Sequence, residues 1–235
     1  MYKHKNRMAF VVIEGLDGAG KSTQLKLLAE HYEGMGIKSH YLHFPRTDSP
    51  FFGELIARFL RGEFGKVDQV DPYIIALLYA GDRRDAANQI REWLQAGHTV
   101  LLDRYVYSNI AFQCGKQSDK AKQLELREWI LKLEYDYFGI PKPDLNLFLD
   151  VPFEFTKSKL TSERQGADRD YLKGSVDIHE ENLTFQEKVR QVYLMQEQLD
   201  PSFSVISCTD NDGNMKPPAD IFKLIIDKII YFAGK

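Results

Sequence analysis

Residues 13–24 read IEGLDGAGKSTQ, and no other stretch restricts the fold as much. Gly15, Gly20, Lys21 and Ser22 fit the pattern G-x-x-x-x-G-K-[ST], with an apolar run of strand length ahead of it and a helical pattern behind it. A glycine turn between a buried strand and a helix N-terminus lines up backbone N–H groups and the positive end of the helix dipole, which is a site for phosphate. In that setting Gly15, Gly18, Ala19, Gly20, Lys21, Ser22 and Thr23 wrap a triphosphate. Lys21 reaches its outer phosphates and Ser22 offers a hydroxyl to Mg²⁺. The motif identifies a donor such as ATP and leaves the phosphoryl acceptor open.

The rest of the chain has the alternation this start requires. Strands are expected at Met8–Glu14, Ile37–Phe44, His98–Asp103, Asp144–Asp150 and Phe203–Cys208, most of them continuous apolar runs suited to parallel strands covered on both faces. Helices are expected from Lys21 to Glu33, from a cap at Asp71 towards Gly97, and from a Ser118 cap to Gly139. Two more fit EENLTFQEKVRQVYLMQEQL and PPADIFKLIIDKIIYF. The expectation is α/β: one P-loop NTPase domain over residues 1–235, a three-layer sandwich with a five-stranded parallel sheet flanked by helices. The polar, charge-dense segment Thr161–Asn182 breaks the pattern, and its length for a loop suggests a lid or a binding loop.

A net charge of −3 argues against nucleic acid or an anionic membrane as the main partner, so any anion site is local. Cys114 and Cys208 form no metal-ligand spacing and no disulfide framework, as in a reducing cytosol, and are expected to be semi-buried. The apolar run after the basic N-terminus is too short for a signal h-region, and no segment approaches the roughly 20 apolar residues of a membrane span. A cytoplasmic protein is expected.

Other residues point to a second ligand. A carboxylate at Asp17, inside an anion-binding loop, needs a partner such as a metal ion or a ligand hydroxyl, or else points to solvent. Asp103 and Arg104 end a buried strand, where side chains of α/β sheets reach ligands. Asp103 suits Mg²⁺ or its water shell, and Arg104 suits a phosphate, although a structural Asp–Arg pair fits as well. Tyr79 and Arg83, four apart on one helix face, offer an aromatic plate and a fork of donors to a planar ligand. Arg46, just past the second strand, adds a further cation. Converging cations beyond the glycine loop imply a second phosphate-bearing ligand, which water as sole acceptor would not need. The guanine-reading pattern N-K-x-D is absent.

Taken in order, EGLDGAGKSTQ, FPR, YAGDR, DRYVYSNIAF, PKPDLNLFLDVP and FQEKVRQVY resemble the thymidylate kinases, over most of the chain from Ala9 to about Tyr193. The resemblance implies transfer of the γ-phosphoryl of ATP to dTMP with Mg²⁺, in a protein that is usually a homodimer. It implies that Asp17 accepts the 3′-hydroxyl, that Arg46 and Arg104 hold the acceptor phosphate, and that Tyr79 stacks on thymine. Arg83 would bond a ring carbonyl, Asn109 or Ser108 would read the remaining polar edge, Phe112 would lie beneath the sugar, and Gln186 would close the base pocket. Two departures stand out: FPRTD is one residue shorter than the family's usual F-P-x-R-x-T, and Gly18 stands where some members carry a catalytic arginine. Arg164 and Arg169 are the candidates to replace that charge, which makes Thr161–Glu181 a mobile lid. The competing readings are another nucleoside monophosphate or deoxynucleoside kinase, and a non-catalytic nucleotide-binding regulator.

Overall fold

The structure is a computed structural model that describes residues 9–67, 69–161, 171–173 and 183–234. Five parallel strands form one sheet in the order β2-β3-β1-β4-β5: β1 Phe10–Gly15, β2 Ser39–His43, β3 Thr99–Asp103, β4 Leu145–Asp150 and β5 Phe203–Ser207. The expected strands are present with ends shifted by one or two residues. β2, whose sequence is SHYLH, is a half-exposed edge strand rather than an apolar run.

Alternation along the inner strands sends side chains to two separate layers. Val12, Val100, Leu102 and Phe148 pack into one cluster and Val11, Ile13, Leu101, Leu147 and Leu149 into another. The first is covered by α3 Pro72–Gln95, α4 Val106–Cys114, α5 Lys120–Leu131 and α7 Leu183–Leu199. The second is covered by α1 Lys21–Gly34 and α8 Pro218–Ala233. This is the expected three-layer sandwich. Cys114 and Cys208, expected to be half-buried, are fully buried, one in each layer.

Three further helices lie within stretches with no helix expected: α2 Phe52–Leu60, α4, and α6 Phe153–Thr161. The helix expected from Ser118 to Gly139 is α5 followed by a π-helical turn at Lys132–Tyr137. Its cap is Asp119, whose carboxylate accepts the Ala121 N–H at 2.7 Å, and not Ser118. The Asp71 cap of α3 is as expected, with its carboxylate accepting from the Tyr73 N–H at 2.8 Å. Of the expected lid, only residues 161 and 171–173 are described; Arg164 and Arg169 lie outside the described residues.

Candidate active site

β1, β2 and β3 end side by side, so their carboxyl ends form one ledge. Ile13 pairs with Asp103, His43 pairs with Asp103, and the Arg104 N–H donates to the Ile13 carbonyl at 3.0 Å. The glycine loop follows β1 on this ledge. Its Gly20, at φ 84°, is left-handed and sits at the N-cap of α1, a position that a residue with a Cβ occupies only with strain. Lys21 is 7% exposed and donates to the Leu16 carbonyl at 3.1 Å, folding back along its own loop. Ser22 and Thr23 are exposed at the helix start.

Asp103 faces the loop from β3. Its Oδ1 is 3.9 Å from the Lys21 ammonium and its Oδ2 is 3.4 Å from the Ser22 hydroxyl and 3.5 Å from His43 Nδ1. Burial alone would raise its pKa, but Lys21, His43 and Arg104 overcome that and hold it below the ordinary carboxylate range. Burial lowers the pKa of Lys21, and repulsion from Arg104 lowers it further. The two cations therefore lie within electrostatic reach of each other, which a strongly anionic ligand between them would relieve.

Each arginine expected at the acceptor site is held by a carboxylate. Arg104 Nη2 donates to Asp17 Oδ1 at 2.8 Å, and its guanidinium lies 5.3 Å from the centre of the Phe112 ring. Burial works against the Arg104 charge, but Asp17 and neighbouring groups more than offset it and raise the pKa. Arg104 itself has φ 66°, a left-handed conformation for a non-glycine residue and a mark of stored strain at functional positions. Arg46 Nε donates to Asp82 Oδ1 at 2.9 Å, its backbone N–H to Oδ2 at 2.8 Å and its Nη2 to the Asp82 carbonyl at 2.8 Å. A Cβ on Gly53 would sit 2.1 Å from the Arg46 carbonyl, so the approach of α2 to this loop depends on glycine.

Arg83 is 1% exposed and donates through Nε and Nη2 to Glu134 at 2.5 and 2.8 Å, so two of the expected fork of donors are already committed within the protein. Tyr79 is half-buried one turn earlier on α3. Of the two candidates for the polar edge, Ser108 has its hydroxyl bound to Glu14 at 2.5 Å and to Tyr193 at 2.7 Å, whereas Asn109 leaves its buried Oδ1 with no hydrogen-bond donor. Gln186 is fully buried on α7.

Sequence reasoning missed Glu14, Asp82, Glu134 and Tyr193. Glu14 is the floor of the site: its Oε1 accepts the Tyr105 and Ser108 N–H groups at 2.9 and 3.2 Å, capping α4 from a strand about 90 residues earlier in the chain. Its Oε2 accepts from Ser108 at 2.5 Å and Tyr193 at 3.1 Å. Burial pushes the Glu14 carboxyl above the ordinary range, only partly offset by Ser108, Arg104, Tyr105 and Tyr193. The available signal was a carboxylate at the end of a buried apolar strand, which demands partners.

The residues on the ledge fit a magnesium nucleotide. Asp103 Oδ1 is buried with no hydrogen-bond partner, and the Ser22 hydroxyl stands beside the same carboxylate. Mg²⁺ in nucleotide sites takes one or two protein side chains plus phosphate and water, and Ser22 and Asp103 are such a pair.

The sequence model of the thymidylate kinase family matches residues 13–215. A probable thymidylate kinase of Thermococcus kodakarensis is 35% identical over 207 residues, 86% of this chain and 90% of that one. The thymidylate kinase of Mycobacterium tuberculosis is 31% identical over 183 residues, 78% of this chain and 83% of its own. A solved thymidylate kinase structure from Candida albicans superposes with a TM-score of 0.67 at 26% identity, covering 95% of this chain and 91% of that one.

Proposed function

The chain belongs to the thymidylate kinase family, and from that membership we propose how its own residues carry a phosphoryl group from ATP to dTMP. It is an enzyme that makes dTDP and ADP. The observation that carries the assignment of roles is the ledge where β1, β2 and β3 end, which bears Lys21 beside Asp103 and the Asp17–Arg104 pair, with Arg46 following the end of β2.

The glycine loop holds the triphosphate, with Lys21 released from the Leu16 carbonyl to meet the outer phosphates. Ser22 and Asp103 would hold Mg²⁺, directly or through its waters, and the ion would supply compensation for the negative charge of the triphosphate. Arg104 and Arg46 hold the dTMP phosphate, and Asp17 accepts the 3′-hydroxyl while remaining the counter-ion of Arg104. An oxygen of that phosphate attacks the γ-phosphorus, the bond from γ-phosphorus to the β,γ-bridging oxygen breaks, and ADP leaves with the electron pair. Because little covalent chemistry is left to the protein, positioning and charge compensation carry the rate. The carboxylates on Arg46 and Arg104 fix those guanidinium groups before substrate arrives, so less side-chain entropy is lost on binding.

Tyr79 and Phe112 flank the base and sugar, Arg83 and Asn109 read the base edge, and Gln186 closes the pocket. The charge that Gly18 does not supply is assigned to Arg164 or Arg169; both lie outside the described residues. The kcat of each alanine variant identifies the one that acts, and two unimpaired variants would remove the assignment.

The described residues form one sheet with helices on both faces, which supports a single domain. A homodimer is supported by Ile74 and Leu77, 59% and 44% exposed on one face of α3 beside the Tyr73–Trp129 ring pair. Sedimentation at micromolar concentration tests it, and a monomer contradicts it. Two buried free thiols suit the cytoplasm, which cell fractionation tests; no described helix is long and apolar enough to cross a membrane.

The decisive experiment is an acceptor panel: ADP formation with dTMP, dUMP, thymidine and AMP. The highest kcat/KM is expected with dTMP and measurable activity with dUMP, since one methyl group changes selectivity by only about 10–200-fold. AMP or thymidine as the preferred acceptor would overturn the reading.

A further inference from the structure

Arg83 and Asn109 share a partner that none of the roles above uses. Arg83 donates to Glu134 through Nε at 2.5 Å and Nη2 at 2.8 Å, and Asn109 Nδ2 donates to the same carboxylate at 3.0 Å and to the Ala76 carbonyl at 3.0 Å. All three side chains are buried: Glu134 0%, Arg83 1% and Asn109 2% exposed. Glu134 lies in the π-helical turn Lys132–Tyr137 that interrupts the end of α5. Such turns are uncommon and concentrate at functional sites, and of the two carboxylates in its stretch LEYDYF this one buries Glu134.

The consequence is a fixed pattern of donors and acceptors. An asparagine amide can turn over and exchange its oxygen and nitrogen, and only its partners decide between the two orientations. Here both N–H bonds go to oxygen acceptors, so a turned amide would set Oδ1 against the Ala76 carbonyl and the Glu134 carboxylate. Oδ1 is thereby held as a buried acceptor with no donor among the described residues. Arg83, with Nε and Nη2 committed to Glu134, keeps Nη1 as a donor without an acceptor among the described residues. The pair presents an acceptor and a donor, joined by one shared carboxylate, with the Ala76 carbonyl as the second support of Asn109.

We propose that Glu134 is a positioning residue for base selection: it fixes Asn109 as acceptor and Arg83 as donor, the complement of a pyrimidine ring with N3–H beside a C4 carbonyl. Thymine and uracil carry that edge. Cytosine carries the reverse, an N3 acceptor and a C4 amino donor, and meets like against like at both positions. A buried polar group left unpaired is what makes hydrogen-bonding sites selective, so the discrimination is carried by the locked pair rather than by pocket size. The inference rests on Arg83 and Asn109 facing the base, as assigned above.

The test is the ratio of kcat/KM for dTMP to kcat/KM for dCMP, with dUMP alongside, in Glu134→Gln, Glu134→Asp and Asn109→Ala. A glutamine keeps one acceptor oxygen but turns an NH₂ group either towards Arg83 Nε or towards Arg83 Nη2 and Asn109, so the pair loses the charged acceptor that holds both members, and the Ala76 carbonyl alone orients Asn109 less firmly. The ratio is expected to fall by about tenfold or more, through a higher KM for dTMP and a gain for dCMP, with kcat for dTMP changed by less than about threefold. Glu134→Asp keeps the buried charge opposite Arg83 but draws the oxygens back by one methylene. It is expected to lower the ratio by a smaller factor, and it serves as the test if Glu134→Gln does not fold. A purely structural Glu134 would reduce activity on all three nucleotides by one common factor, and that result overturns the inference. If Asn109→Ala alters the ratio and neither Glu134 variant does, only the inference fails; if no variant alters it, the base-reading assignment fails with it.

Discussion

Asp82 is the anchor of Arg46, and replacing it by asparagine isolates what preorganising that arginine is worth. The carboxylate is 1% exposed and accepts from Arg46 Nε at 2.9 Å, the Arg46 N–H at 2.8 Å and Ser49 Oγ at 3.2 Å. An asparagine has one acceptor oxygen, so either the Arg46 N–H or its Nε faces an NH₂ group. One hydrogen bond to a charged group is lost, worth about 1.5–3 kcal/mol, and the guanidinium is held less firmly, with its Nη2 bond to the Asp82 carbonyl remaining. If Arg46 meets the acceptor phosphate, the loosened arginine weakens dTMP binding by about 10–100-fold, the equivalent of about 1.4–2.8 kcal/mol. Initial rates of ADP formation against dTMP concentration measure this, with the KM for ATP expected to stay within about threefold. Arg46→Ala should cost a similar amount, and Asp82→Asn on the Arg46→Ala background should add little, because both changes act through one side chain. Losses that add in full, or an unchanged KM for dTMP in Asp82→Asn, would refute the reasoning.

Glu14→Ala strands two backbone N–H groups at the start of α4 and takes the acceptor from two hydroxyls, which keep their bond to each other and, for Ser108, the Arg104 Nη1 donor at 3.3 Å. At about 1–3 kcal/mol for each orphaned buried donor, a loss of about 2–6 kcal/mol is expected in urea unfolding, and a change below about 0.5 kcal/mol would refute the capping role. Lys116 has a buried Nζ without a hydrogen bond, over the Phe59 ring at 5.0 Å, and burial lowers its pKa to about 8. The folded state then binds fewer protons than the unfolded state between pH 8 and the ordinary lysine value of 10.5, so stability attributable to this residue rises with pH across that window. Lys116→Met is expected to raise Tm at pH 7 by about 2–4 °C for each kcal/mol of relieved burial cost, and the gain should shrink above pH 8. A gain that does not depend on pH would contradict the assignment.

What could be read from the sequence was what is local. The glycine loop declared itself because strand, turn and helix are adjacent in the chain, and Asp103–Arg104 could be placed on the ledge because parallel strands deliver their ends to one side. The Tyr79–Arg83 spacing correctly put both on α3, yet the sequence could not show that Arg83 is committed to Glu134, 51 residues away. α4 was missed for the same reason: no side chain near Tyr105 caps it, and its cap is Glu14, 94 residues before Ser108. The edge strand β2 lacks the apolar run because its side chains are only partly covered, and the π-turn at Lys132–Tyr137 keeps the helical composition of its neighbours while changing where Glu134 points. Asp82 lay in plain view in YAGDR, and its role as counter-ion to Arg46 depends on contact across 36 residues.

The central claim is that a triphosphate held by the glycine loop meets a nucleotide monophosphate held by Arg104 and Arg46 across the ends of β1 and β3. Lys21→Ala tests it most directly, because among the described residues the Lys21 ammonium bonds only the Leu16 carbonyl and faces Asp103 at 3.9 Å, so its loss should leave the fold intact. The measurement is dTDP formation from ATP and dTMP, with dTMP affinity and thermal unfolding recorded on the same protein. The account predicts a fall in turnover of at least about a hundredfold with dTMP affinity retained; a folded Lys21→Ala protein with full turnover would contradict it.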